Sequence, residues 1–287
     1  MHRARHLRLK FVLLPFIALA AAAHSLGQQK PPAAPTNQPK PPPDTGKLSA
    51  DFLKSAEVLV PSPSELMAGL KDANITQWGE AAKLVETGAG SLRLNKADKP
   101  TKALNLGVRF ADCFVAIQAK DKNTFLEAVV VAKSLAEQLG VGAALAESGK
   151  EVEKLVRAGD WPGTLEQLDL LRDDALRTMQ STDQDSATLA TAAGWVRGLH
   201  LVTSVLNAHY SEQSSRILRQ PDLAAHLKGA VAKLSPATKE HQKVKELEAK
   251  LGELEKLLAV DKGAAVSKEG VSKIFQVTAA LVKSIQS

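Results

Sequence analysis

Cysteine and aromatic side chains are scarce in this 287-residue chain. Its single cysteine, Cys113, excludes a disulfide framework, a zinc cluster of thiolates and a Cys-x-x-Cys redox pair within the chain. Phe, Trp and Tyr make up only 4% of the residues, which disfavours aromatic platforms for stacking nucleic-acid bases. The remaining composition, 44% hydrophobic and 24% charged, is typical of a soluble globular protein and excludes a collagen-like or wholly disordered chain.

Motifs for the common catalytic and metal-binding chemistries are missing as well. The chain has no HExxH, Glu-x-x-His or CxxCH motif, no Gly-x-Ser-x-Gly turn and no phosphate-binding P-loop. Cys113 lies in a very apolar segment, where a small buried hydrophobic residue is expected rather than a catalytic thiolate. These absences predict a protein that is not an enzyme and that holds no metal and no cofactor.

The amino terminus has the pattern of an export signal. Residues 1–10 carry four Arg or Lys side chains and no acid, and residues 11–23 form an uninterrupted apolar run. A membrane-spanning helix needs about 20 apolar residues, so this run is short for a permanent anchor. We predict a signal peptide over residues 1–27, cleaved after Ala23 or Gly27, and a periplasmic or secreted bacterial protein. The alternative is an inner-membrane protein anchored by an uncleaved amino terminus.

The net charge changes once this signal is taken into account. The full chain carries a formal charge of +6. Residues 1–27 contain four Arg or Lys residues and no Asp or Glu, so the charge is +2 after cleavage. A nucleic-acid-binding protein usually has a clustered basic face. We therefore expect no nucleic-acid partner.

A proline-rich segment follows over residues 28–48. It holds seven of the fourteen prolines, which fix φ, lack a backbone donor and favour polyproline II. The composition predicts a disordered, semi-rigid linker, with a PxxP-type ligand as the alternative.

Residues 49–287 show apolar residues at helical spacing and no run of alternating residues, which predicts one all-α domain. A loop over 88–99 separates a small amino-terminal helical cap, within 49–90, from the rest. Thr124 with Glu127 predicts a capping box, and Gly140 and Gly159 predict helix ends. The spacing is compatible with a closed multi-helix bundle or with an irregular stack of antiparallel helical hairpins. The predicted helices are 51–59, 63–72, 75–87, 100–119, 123–139, 142–158, 161–181, 185–210, 212–219, 221–234, 236–259 and 267–285.

Two segments, 103–119 and 187–210, are apolar around most of the helix, which predicts that they form the core. The second is long enough to raise the question of a membrane span, but Arg197 and its other polar residues argue against one. We expect no integral membrane domain after signal cleavage.

Four polar residues of these helices are the candidate site. Arg109 has Asp112 three residues away, whereas Arg197 has no acid within four residues, so its partner must come from another helix or from a ligand. A buried arginine without a partner is very costly. The residues predict either an interhelical salt bridge or an anion-binding point, in which His200, one turn from Arg197, is a second donor.

A short heptad seam over residues 244–258 has apolar residues at spacings of 3, 4, 3 and 4. Two heptads are fewer than a coiled coil needs, so we predict a helix docked on its own bundle rather than a dimerisation zipper.

These observations favour an exported, non-enzymatic helical protein that binds a partner protein or an envelope component through its helical surface. The alternatives are a small-anion binder or enzyme with its site near Arg197 and an amino-terminally anchored envelope protein. The sequence leaves the oligomeric state open.

Overall fold

Helices form nearly all the regular structure of this protein in the computed structural model, which describes residues 68–71, 75–86 and 94–287. Within those ranges there is no β-strand, so the all-α prediction is confirmed. The predicted signal peptide, proline-rich linker and most of the helical cap lie outside the described residues. Eight helices there have twelve or more residues: α1 (Lys99–Gln118), α2 (Lys122–Gln138), α3 (Ala146–Ala158), α4 (Trp161–Thr182), α5 (Gln184–Ala208), α6 (Pro221–Ala232), α7 (Gln242–Leu258) and α8 (Lys268–Gln286).

Short polar side chains begin five of these helices. Asp98, Asp121, Asp160 and Asp183 each accept a hydrogen bond from the backbone N–H three residues later, and Ser267 does the same for α8. Such caps satisfy one of the backbone donors that the first turn of a helix leaves free. The predicted capping box that starts at Thr124 was wrong. The Asp121 carboxylate accepts a hydrogen bond from the Thr124 backbone N–H at 3.1 Å, so the N-cap of α2 lies one turn earlier, at Asp121.

Two glycines end helices as predicted. Gly140 follows α2 with φ of 81°, and Gly159 follows α3 with φ of 75°. Glycine adopts this left-handed conformation without the steric cost of a Cβ atom.

Several predicted helices are shorter than expected or divided, and two of them differ most from the prediction. The helix predicted over 75–87 is helical only over Gly79–Ala82, and the one predicted over 236–259 is divided into Pro236–Lys239 and α7. In the first case the side chains of Ile75, Trp78 and Val85 are buried in the core. Tertiary packing of this segment therefore overrides its helical pattern.

The centre of the protein is the crossing of α1 and α5. Their backbones come close together at Gly107 and Gly194: a Cβ atom at Gly107 would lie 2.0 Å from the carbonyl oxygen of Ala190, and one at Gly194 would lie 3.2 Å from that of Gly107. Only glycine at position 107 permits this approach. Both helices are buried along most of their length, and each large aliphatic side chain there contributes roughly 1.5–3 kcal/mol.

The other long helices surround this pair. Helices α2 and α4 pack on α1, α3 packs on α4, and α8 packs on α5, α1 and α7, while α6 packs on α7 and α5. In a solenoid each repeat contacts only its sequence neighbours. Because α1, α5 and α8 contact one another across long sequence separations, the protein is a helical bundle.

Helix α5 is the only helix in the described ranges that is long and apolar enough to cross a membrane by length and composition, and 83% of its most apolar window is buried inside the bundle. This degree of burial is typical of a helix in the core of a bundle. The five apolar residues of the predicted heptad seam are also buried, on α7 where it packs against α6 and α8 of the same chain, as predicted: Val244, Leu247, Leu251, Leu254 and Leu258.

Candidate functional site

The four polar residues singled out in the sequence lie together where α1 and α5 cross. Asp112 is fully buried and accepts from Arg197 Nε through Oδ1 at 2.7 Å and from Arg109 Nη1 through Oδ2 at 2.9 Å. Both guanidinium groups are also buried, with residue exposures of 1%. One carboxylate therefore joins an arginine of its own helix to an arginine of the neighbouring helix. We call this group, with His200, the arginine cluster.

Arg197 has a protein partner at each of its three side-chain nitrogens. Besides the bond to Asp112, Nη1 lies 2.8 Å from His200 Nδ1, and Nη2 donates to the backbone carbonyl of Leu84 at 2.8 Å. The charged end of Arg197 thus faces a carboxylate, an imidazole and a carbonyl of the same protein.

His200 is held in one neutral form by this arrangement. Because a guanidinium can only donate, the Nδ1 atom of His200 accepts and its proton resides on Nε2. Burial, and then the positive charge of Arg197, lower the pKa of His200 from 6.5 to about 3. The ring also lies 4.9 Å from that of Phe275 on α8, so the cluster contacts a third long helix.

Arg109 reaches the segment that precedes α1. Its Nη1 atom also donates to the backbone carbonyl of Glu86 at 2.9 Å, and Nη2 lies 3.7 Å from the Glu86 carboxylate. The Glu86 side chain is 37% exposed, so the ion pair lies at the edge of the core. Arg109 Nε is buried without a hydrogen-bond partner.

The cluster links three parts of the chain and balances its charges. Two guanidinium groups meet two carboxylates, those of Asp112 and Glu86, and His200 is neutral. Its backbone contacts are to Leu84 and Glu86, so the arginines tie the segment after Gly79–Ala82 to the α1–α5 crossing. Sequence reasoning missed Glu86, which lies 23 residues from Arg109 and is brought there only by the folded chain.

The described residues contain no group of three or more His, Cys, Asp or Glu side chains arranged to hold a metal ion.

A second candidate site lies where α1, α2 and the hairpin of α3 and α4 leave a cavity of about 390 Å³. We call it the apolar cleft. Phe110 and Cys113 of α1 lie next in sequence to the cluster residues Arg109 and Asp112 and line its floor. Thirteen of its seventeen lining residues are apolar or glycine. Small residues at 142, 143, 146 and 149 leave room on the α3 side, and this is the sequence signal that could have indicated the cleft.

The charged lining residues of the cleft are at its mouth. They are two lysines and two glutamates, Lys133, Glu137, Lys150 and Glu153, and three of them are exposed while Glu153 is half-buried. The Cys113 thiol at the floor is fully buried, and burial raises its pKa far above the usual value. A thiol in this state is protonated and a poor nucleophile.

Two large apolar side chains near the cleft are exposed. Val130 of α2 is 68% exposed and Leu170 of α4 is 52% exposed, and their sequence neighbours Val129 and Leu171 line the cleft.

No family model, curated protein or solved structure matches this chain.

Proposed function

We propose that this protein is an exported, non-enzymatic helical binding protein, and that it holds a component of the cell envelope in the apolar cleft. The observation that carries the proposal is the cleft itself: a cavity of about 390 Å³ with an apolar floor and a charged mouth, between α2 and α4, which pack on α1, and α3, which packs on α4. Ligand sites are usually concave, mostly apolar cavities of about 300–1,000 Å³ with a few polar groups.

The two side chains at these sites that are best suited to catalysis, His200 and Cys113, are not in reactive states. His200 accepts from Arg197 and has a pKa of about 3, so it does not exchange protons near neutral pH. Cys113 has a raised pKa and is not a thiolate. These properties favour binding over chemistry at both sites.

A more open depression of about 570 Å³ lies between α6 and α7. Four of its seven lining residues are Lys or Glu, and two of them, Lys228 and Glu255, already pair with each other. It has no buried apolar floor, so the cleft is the better candidate.

The anion-binding alternative near Arg197 requires an anion to replace one of the protein acceptors of that side chain. Its test is the melting temperature with and without inorganic phosphate, for the wild type and for Arg197→Met. Phosphate stabilisation that the variant loses, with its fold intact by circular dichroism, would support an anion site. An equal response of both proteins would contradict it.

Export is tested by the mass of the protein recovered from bacteria that express the full chain. We expect a periplasmic or secreted species that lacks residues 1–23 or 1–27. Full-length protein in the membrane pellet would support the anchored alternative instead.

Binding in the cleft is tested with Gly149→Phe. Gly149 lines the cleft on α3, and a Cβ atom there meets nothing within 4 Å, so a larger side chain fits without a backbone clash and we expect it to fill part of the cavity. Gly149→Ala is the size control. Gly229→Phe is the matched control, because Gly229 on α6 has equally open surroundings and does not line the cleft.

The readout is native mass spectrometry after incubation with an envelope extract from the expressing cells. We expect a bound component on the wild type and both controls and none on Gly149→Phe. A wild type without any bound component, or equal loading of all four proteins, would contradict the proposal.

A further inference from the structure

We infer that the apolar cleft binds a single aliphatic chain, the acyl or alkyl part of a lipid-like molecule, whose polar end stays outside the mouth. This inference rests on the proposed function and names the chemical class of the ligand.

The lining of the cleft shows which ligands it excludes. No lining side chain carries a hydroxyl, an amide, an imidazole or an indole, and the polar side chains are the four charged ones at the mouth. A polar group inserted into such a site loses its hydrogen bonds to water without replacement, which is costly. Sugars, nucleotides and peptides carry polar groups along their whole length, so their chemistry does not match this lining.

The interior favours an aliphatic ligand over an aromatic one. Its walls are formed by aliphatic side chains such as Val129, Val152 and Leu168 and by alanine or glycine, and Phe110 is the one aromatic residue in the lining. Offset or edge-to-face aromatic contacts, which stabilise bound rings, therefore have one partner at most.

The volume of the cleft sets the length of the chain. If each methylene group takes about the 30 Å³ of a liquid water molecule, a cavity of about 390 Å³ holds about a dozen of them. That is one chain and not the two chains of a bilayer phospholipid.

The mouth provides little discrimination between head groups. Lys133 with Glu137 and Lys150 with Glu153 place two positive and two negative charges around it. A carboxylate or a quaternary ammonium group at the mouth is attracted by two of these charges and repelled by the other two. We therefore expect affinity to depend on chain length much more than on the charge of the head group.

The test is isothermal titration calorimetry of the folded protein with n-alkanoates of 6 to 16 carbons below their micelle concentrations. Each buried methylene group should raise the affinity about fourfold, and the rise should level off near twelve carbons as the cavity fills. Dodecanol and dodecyltrimethylammonium should bind within about threefold of dodecanoate, which is about half of a tenfold affinity step on a logarithmic scale.

The cleft variants connect this binding to the site. Gly149→Phe should weaken dodecanoate at least about tenfold, whereas Gly149→Ala and Gly229→Phe should bind it as the wild type does. Affinity that is independent of chain length, or a Gly149→Phe variant that binds normally, would overturn the inference. If the alkanoates do not bind but Gly149→Phe still loses the envelope component, the inference is wrong and the proposed function holds. If Gly149→Phe changes neither the affinity for dodecanoate nor the loading of the envelope component, both the inference and the proposed function are wrong.

Discussion

Arg109 and Arg197 lie 88 residues apart in the sequence, yet they donate to the two oxygens of one buried carboxylate, that of Asp112. Their helices approach each other closely at Gly107 and Gly194, a turn or less before each arginine. A close approach of backbones thus occurs beside a shared ion pair. The pairing fixes both the separation and the register of the two core helices.

Removing the shared carboxylate should destabilise the protein strongly. Asp112→Ala leaves two buried guanidinium groups without their common partner, and breaking a buried ion pair in this way costs about 3–5 kcal/mol. We expect the free energy of unfolding, measured by urea titration, to fall by that amount.

The control for this variant is Glu80→Ala, which removes the exposed ion pair between Glu80 and Lys83. Exposed pairs contribute about 0–1 kcal/mol. An Asp112→Ala protein as stable as this control would show that the cluster does not hold the helices together.

The helix crossing should tolerate a methyl group at Gly194 better than at Gly107. A Cβ atom at Gly107 meets a backbone oxygen at 2.0 Å and that at Gly194 meets one at 3.2 Å. We expect Gly107→Ala to cost about 3 kcal/mol and Gly194→Ala about 1 kcal/mol. Gly229→Ala, on a helix with open space around it, should stabilise by about 0.5–1 kcal/mol. Equal effects at 107 and 194, measured by thermal and urea unfolding, would contradict this geometry.

The lowered pKa of His200 should make the protein less stable in acid. Between pH 6.5 and about 3 the unfolded chain binds a proton at this residue and the folded protein does not. The free energy of unfolding is therefore highest above pH 6.5 and falls as the pH decreases toward 3.

His200→Gln keeps an acceptor for Arg197 and removes the titration. We expect its stability to fall less than that of the wild type between pH 7 and 4.5. Nitrogen chemical shifts of the imidazole should show a neutral ring at pH 5 whose single proton is on Nε2. A positively charged ring at pH 5, or the same pH dependence of stability in the wild type and His200→Gln, would disprove the lowered pKa of His200.

The Cys113 thiol should be nearly unreactive in the folded protein. It is fully buried at the floor of the cleft and its pKa is raised, so little thiolate is present at pH 8. We expect N-ethylmaleimide to react at least about a hundredfold more slowly than in 6 M urea. Because Cys113 is the only cysteine, the added mass of the whole protein reports this rate directly. Rapid labelling under native conditions would show that the floor of the cleft opens to solvent.

Local chemistry made several features of the fold predictable. The left-handed turns at Gly140 and Gly159 depend on one residue each, and the buried seam of α7 follows from apolar spacing alone. The pairing of Arg109 with Asp112 was accessible for the same reason, since residues three apart lie on one helix face. The short helix at Gly79–Ala82 was not, because the burial of Ile75 and Val85 depends on helices far along the chain.

The sequence by itself determined that the body of this protein is helical, which two helices form its core and which polar residues lie between them, because hydrophobic spacing, capping and the cost of an unpaired buried charge act within a few residues. Only the tertiary structure decided that Asp112 is the partner of Arg197, that Glu86 completes the cluster and that α2 and the α3–α4 hairpin leave a cleft over Phe110 and Cys113. Those relationships join residues from distant parts of the chain. The packing of whole helices creates them, and no local pattern encodes the way in which helices pack.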